Sequence, residues 1–313
     1  MNARYLLTFI LAIVISCTEK SSTDSIIDGS QEELEEVIHI KSADFQLDVQ
    51  SIIFDGEFLW ITNEGTVPPY DYYIFKLDPR TGKIEQKWRA SSPAENGSTY
   101  DGQFLWTTGI YSPSGMLPPW DDPDYYELIY KYSISDNNLV LKEKYALPSP
   151  KIGAGEALTV DSSGNIWVIT GMPEVNEITT LVRLEFFPGE EAEHHPGLSD
   201  VWRTEIKETV VLPMSSKLHI KGAEWIYVPN VCNYLVVGGY PLDGIINAEH
   251  FIYVLDANDN FAVKWEYIPE EWGGIGDFGI YWDPKEEMIW TIGGDIFPFS
   301  YENFISFISS EDS

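Results

Sequence analysis

Five residues stand five positions ahead of five turn residues. Gln50 precedes Asp55, Asn96 precedes Asp101, Glu156 precedes Asp161 and Glu224 precedes Pro229; Phe278 precedes Asp283, with Asp277 just before it. Four of the five carry side-chain oxygens and lead into largely apolar runs. Carboxylates and amides drawn to one axis could hold Ca²⁺, which takes about six to eight oxygen ligands. Glu156, Glu224 and Asn96 are the candidate metal ligands. The same groups could bind a polar substrate, with Glu156 and Glu224 as candidate catalytic carboxylates serving as general acid or base. The plainer alternative is that these residues cap strand beginnings and line a solvated channel.

Such residues meet only if the chain repeats. Glu156–Gly171 reads E-A-L-T-V-D-S-S-G-N-I-W-V-I-T-G, two short apolar runs about a Gly-containing turn, the pattern of a tight hairpin. Ser51–Thr62, Gly97–Gly109, Trp225–Gly239 and Gly279–Gly294 repeat it. Hairpin starts at 51, 97, 157, 225 and 279 are 46, 60, 68 and 54 residues apart. Self-similarity at such periods marks a repeat array, and the reading is all-β: a five-bladed β-propeller. Each of the first four repeats offers two further strands. In the first they flank Asp78-Pro79-Arg80-Thr81-Gly82, a turn in which Pro fixes φ and Gly supplies positive φ. The last offers one, Phe304–Ile308. A spare strand at Val37–Leu47 would complete the last blade, close the ring and remove a sheet edge. A sixth blade would need a hidden repeat near residues 185–222, which holds only two convincing strands.

Two loops between second and third strands share a pattern. Val67-Pro68-Pro69-Tyr70-Asp71-Tyr72-Tyr73 and Leu117-Pro118-Pro119-Trp120-Asp121-Asp122-Pro123-Asp124-Tyr125-Tyr126 both read Pro-Pro-aromatic-Asp and later Tyr-Tyr. Diproline stiffens the loop and presents an aromatic tip at low entropic cost. Tyr70, Asp71, Trp120 and Asp121, together with Gln50, Asn96 and Asp277, form the candidate ligand-binding set, suited to sugars, cationic groups or peptides. Tyr240, Pro241, Phe297, Pro298, Phe299 and Tyr301 are expected in the remaining loops of that face. Aromatics that pack over the blades are the structural alternative. His194-His195 lies in an acidic loop and is a weaker metal candidate. No Ser-His-Asp order, phosphate loop or CxxC pair is present, and Gly153-Ala154-Gly155 lacks the third glycine of a nucleotide fingerprint.

The address is legible at the N-terminus. A positive region to Arg4, an apolar Tyr5–Ile15 too short to span a bilayer, and Val14-Ile15-Ser16-Cys17 read as a lipoprotein signal cut before Cys17, the expected lipidation site. Acyl chains contribute roughly 0.8 kcal/mol per buried CH₂. The domains are then 1–16 signal peptide, 17–36 flexible acidic tether and 37–313 propeller. Thr18, rather than Asp, after the lipidated residue favours an outer-membrane address, periplasmic or surface-exposed. Cys232 is the other cysteine, expected as a small packed residue. The net charge of −31 repels nucleic acid and leaves a soluble acidic surface.

The repeat V-x-x-D-G-x-[IL]-W resembles many propeller families. Gln50-Ser51-Ile52-Ile53-Phe54-Asp55-Gly56 is similar to the first blade of the plant-type glutaminyl cyclases, and Glu224 and Gly279–Pro284 resemble their fourth and fifth blades. Phe278 stands where that family has Asn; Asn96 and Glu156 fall where it has Glu and an aromatic. The resemblance implies five blades and a channel-mouth enzyme. Lactone-hydrolysing propellers with a channel metal are a vaguer likeness, with six blades. The leading expectation is a lipid-anchored extracytoplasmic propeller that binds an extracellular glycan or peptide on its loop face. A channel-mouth enzyme of cyclase or lactonase type and a protein-interaction scaffold are the alternatives.

Overall fold

A computed structural model describes residues 40–41, 48–64, 73–91, 95–111, 126–135, 138–148, 155–170, 179–192, 199–214, 218–228, 232–241, 251–267, 279–283, 285, 288–293 and 295–300. Among them the regular structure is strand, apart from a single 3₁₀ turn at Ala257–Asp259. The strands fall into five consecutive units. The first holds β2 (Asp48–Phe54), β3 (Leu59–Glu64), β4 (Tyr73–Leu77) and β5 (Ile84–Arg89). The second holds β6 (Glu95–Tyr100), β7 (Phe104–Tyr111), β8 (Tyr126–Ser135) and β9 (Asn138–Ala146). The third holds β10 (Gly155–Val160), β11 (Ile166–Thr170), β12 (Thr180–Glu191) and β13 (Val201–Val211). The fourth holds β14 (Leu218–Val228), β15 (Cys232–Pro241), β16 (Phe251–Asp256) and β17 (Ala262–Tyr267). The fifth has β18 (Gly279–Asp283), β19 (Met288–Gly293) and β20 (Asp295–Ser300), and its outermost strand is β1 (Ile40–Lys41), supplied by the N-terminal side of the chain. β1 pairs antiparallel with β20, Ile40 opposite Ile296 and Lys41 opposite Asp295.

Within each unit successive strands pair antiparallel. The second and third units fuse into one eight-stranded sheet, because β13 pairs in parallel with β9 through Val201–Lys144 and Trp202–Tyr145. The first strands of the units touch in turn: β2 against β6, β6 against β10, β10 against β14, β14 against β18, and β18 back against β2. β14 also comes close to β2 and β6 across the middle.

The core lies between neighbouring four-stranded units. Phe54 and Trp290 join the first and fifth units at 5.8 Å, Trp106 and Phe186 the second and third at 5.0 Å, and Trp167 and Trp225 the third and fourth at 6.0 Å. Ile226 and Val254 pack with Ile280 and Trp282 between the fourth and fifth. Each large apolar side chain taken from water contributes about 1.5–3 kcal/mol, which is why aromatic and β-branched residues crowd these strands.

Three hairpins are locked by one device. Asp55 Oδ1 accepts the N–H groups of Glu57 and Phe58, and its Oδ2 accepts Trp60 Nε1 at 2.7 Å. Asp101 does the same for Gln103, Phe104 and Trp106, and Asp161 for Ser163, Asn165 and Trp167. The carboxylate thus closes the turn and fixes the first large core ring of the next strand. Gly56 and Gly102 follow at φ 96° and 90°, a region costly for any other residue. A cation then covers the tryptophan from the third strand. Lys76, Lys131 and Arg183 are the register partners of Trp60, Trp106 and Trp167. Lys131 Nζ lies 5.0 Å from the Trp106 ring, within cation–π range.

The structure departs from the sequence reading at several elements. β14 begins at Leu218, upstream of the expected Trp225, because His219, Ile220 and Gly222 continue the ladder with β15. Tyr240 and Pro241 belong to β15, and Phe297, Pro298 and Phe299 to β20, rather than to loops. Pro298 pairs with Trp290 of β19. The third strand of the last unit is therefore β20 and not Phe304–Ile308, which lies outside the described residues. The expected N-terminal strand of Val37–Leu47 is described only at Ile40–Lys41.

Candidate functional site at the bulged ends of the first strands

Four first strands break register near their beginnings. In β2, Val49 faces Asn63 and Ser51 faces Thr62, so Gln50 is the extra residue. In β6 the shift falls between Glu95 and Ser98, at Asn96-Gly97. In β10 it falls at Glu156, between Gly155 and Ala157, and in β14 at Lys221, between Ile220 and Gly222. An extra residue bends its strand and re-aims a side chain, and such bulges concentrate beside functional sites. Because the four strands are successive neighbours, the four bulges occupy one rim.

The bulges are pinned by buried polar contacts. Gly97 N–H donates to Thr108 Oγ1 at 2.9 Å. Beside the bulges, Ser98 Oγ donates to Ser51 Oγ at 2.7 Å, and Ser51 Oγ lies 2.6 Å from Thr62 Oγ1. This hydroxyl chain links the first two units where aliphatic packing would otherwise be expected. Asn63 Oδ1 accepts the N–H of Tyr73 at 2.7 Å and joins the end of β3 to the start of β4.

Gln50, Asn96 and Glu156 thus share a register position. Glu224 does not join them. Seven residues follow Lys221 in β14, against four after Gln50 or Glu156, so counting back from the turn lands three residues too far along the strand. The fourth bulge carries Lys221, a side chain the spacing rule missed. Its signal was a lysine followed by glycine inside an apolar run, Ile220-Lys221-Gly222-Ala223. Lys221 adds a cationic residue to the two amides and one carboxylate at that register position. Among the described residues no group of three or more His, Cys, Asp or Glu side chains could hold a metal ion.

Glu224 sits midway along β14 and is only 4% exposed. Thr159 Oγ1, on β10, lies 3.4 Å from Glu224 Oε2 and also accepts the N–H of Trp225 at 3.1 Å. Burial pushes the Glu224 carboxyl well above the usual carboxylate range, only partly offset by the backbone N–H of Trp282 on β18 and by Thr159. The group therefore bridges three first strands. Tyr281, next to Trp282, is also driven up, first by burial and then by the charges of Glu224, Asp283, Tyr100 and Asp55.

Of the other predicted residues, Tyr70, Asp71, Trp120, Asp121, Asp277, Phe278, His194, His195 and Cys17 lie outside the described residues. Cys232 is a buried free thiol at the start of β15.

No family model and no curated protein matches the chain. Among solved structures it is similar to Myxococcus xanthus glutaminyl cyclase, with 12% identity over 80% of this chain and 89% of that one and a TM-score of 0.47. It is also similar to Kuenenia stuttgartiensis hydrazine synthase, with 13% identity over 92% of this chain and 83% of that one and a TM-score of 0.42. Likeness at this level assigns no activity.

Proposed function

We propose that the chain is a lipid-anchored, extracytoplasmic five-bladed β-propeller that binds an extracellular ligand, a glycan or a peptide, at the rim where its first strands begin. Five successive units whose first strands touch in a closed order support the propeller reading. The observation that carries the binding reading is the shared bulge, which gathers Gln50, Asn96, Glu156 and Lys221 at one end of four neighbouring strands. The amides of Gln50 and Asn96 and the carboxylate of Glu156 would offer both donors and acceptors to a polar ligand. The Pro-Pro-aromatic loops connect second to third strands, whose ends lie at the same rim. The test is a glycan and peptide array probed with the detergent-solubilised full chain. Alanine at Gln50 and Glu156, or at Tyr70 and Trp120, should abolish the signal; undiminished binding by both double variants would reject this rim.

A second reading, a channel enzyme, is favoured by one observation: a buried carboxyl, Glu224, whose pKa burial raises, hydrogen-bonded to a hydroxyl, Thr159. It predicts turnover in a cyclase and lactonase screen that is lost in Glu224→Gln. No turnover by the wild-type chain, with or without Ca²⁺, removes it.

A further inference from the structure

Asn63 pairs with Val49, the residue just before the bulge at Gln50. Its Oδ1 accepts the N–H of Tyr73, and that bond settles the orientation of the amide, because the flipped group would set N–H against N–H. The Nδ2 group is consequently turned away with both its protons. It is wholly buried in a residue only 1% exposed, and no acceptor reaches it. Folded proteins seldom leave such a donor unpaired, and each exception calls for a reason. Blade construction does not supply one. The register equivalents are Gly109 opposite Glu95, Thr170 opposite Gly155 and Gly239 opposite Ile220, so an amide is no part of how the other sheets end.

We propose that Asn63 is a ligand-binding residue of the rim, whose Nδ2 donates to a carbonyl or hydroxyl oxygen of the ligand. This rests on the binding reading given above and narrows it. A neutral donor already tied to the backbone recognises an oxygen acceptor and discriminates against a cationic group. The pinned Oδ1 also means that the donor is preorganised, with no rotamer left to order on binding.

The test uses crystals of the full chain soaked in acetamide, resolved well enough to place waters. The expected result is the acetamide oxygen within hydrogen-bond distance of Asn63 Nδ2, and its loss in Asn63→Asp, which keeps an acceptor for Tyr73 but lacks the amide donor. On any array ligand that binds, Asn63→Asp should weaken binding at least tenfold at a temperature where the variant is still fully folded, its unfolding midpoint being lowered by the buried carboxyl. Water alone at Nδ2 after soaking, a protein acceptor there, or equal acetamide occupancy in the variant would overturn the assignment. The soak needs no natural ligand. A failed array therefore condemns the wider reading, whereas a failed soak condemns Asn63 alone.

Discussion

The hydroxyl of Thr159 meets the carboxyl of Glu224 across the boundary between β10 and β14, 3.4 Å apart and shut away from solvent. The N–H of Trp282 reaches the same carboxyl from β18. Three of the five first strands are thereby held at one point by a group whose protonated form is favoured by burial.

Stability should accordingly fall as pH rises. Burial lifts the folded-state pKa of Glu224 above its unfolded value, so the folded chain holds a proton that the unfolded chain has released. The contribution is fully present below the unfolded pKa and is lost as pH rises through the folded one. The slope from this group is at most about 1.4 kcal/mol per pH unit. Glu224→Gln keeps a donor and an acceptor but cannot ionise. Unfolding midpoints measured from pH 5 to 9 should decline more steeply in the wild type than in Glu224→Gln. Parallel curves would show that this carboxyl is not the source. The interval stops short of Tyr281, whose raised phenol titrates in the same direction at higher pH.

Asp161 gives the opposite sign. Burial alone would raise its carboxyl, but the Trp167 indole, the Asn165 side chain and the N–H groups of Asn165 and Ser163 hold it below the usual range. Its contribution is present above the unfolded pKa and is lost as pH falls through the folded one. Asp161→Asn turns an amide N–H toward the Trp167 Nε1–H in one orientation and toward the turn N–H groups in the other. The cost at pH 7 should be about 1–2 kcal/mol, the value of a lost hydrogen bond with its donor left unpaired. Denaturant titrations at pH 7 and pH 3 should show the gap between variant and wild type narrowing in acid.

How much of this could be read beforehand follows from what is local. The Asp-Gly turns and their tryptophans advertised the hairpins because turn, ring and carboxylate lie within six residues of one another, as Asp161 and Trp167 do. Counting back from the turns lands on the bulges at Gln50, Asn96 and Glu156 because their strands have one length after the bulge. Lys221 was missed because β14 runs three residues longer, and strand length depends on pairing with β15, which no window of sequence contains. The fusion of the second and third units was equally hidden. It needs β13 to lie beside β9, a contact set by how two sheets pack. Asn63 looked like an ordinary strand-end residue, since a donor left unpaired is visible only in three dimensions.

The anchor prediction is independent of all side-chain geometry. Cys17→Ser removes the thiol that would be lipidated, and the chain should move from the membrane to the soluble fraction, with loss of the acyl mass in intact-protein mass spectrometry. A chain that still sediments with membranes, without acyl mass in either form, would remove the lipoprotein reading.

β1 tests whether closure matters. Among the described residues it places Ile40 and Lys41 on the outer side of β20, and those residues cover part of an edge whose N–H and C=O groups would otherwise be free to pair with another chain. Few backbone bonds are involved, each contributing about 0.5–1.5 kcal/mol, so the thermodynamic loss should be modest. The kinetic consequence should be larger, because exposed edges recruit one another at high protein concentration. Ile40→Pro removes the backbone N–H of Ile40 and disfavours the extended pairing of β1 with β20. It should lower the unfolding midpoint by a few degrees and produce concentration-dependent oligomers in light scattering, while Ile40→Val, which keeps the strand, should not. A monodisperse Ile40→Pro variant with wild-type stability would mean that the fifth unit closes without β1.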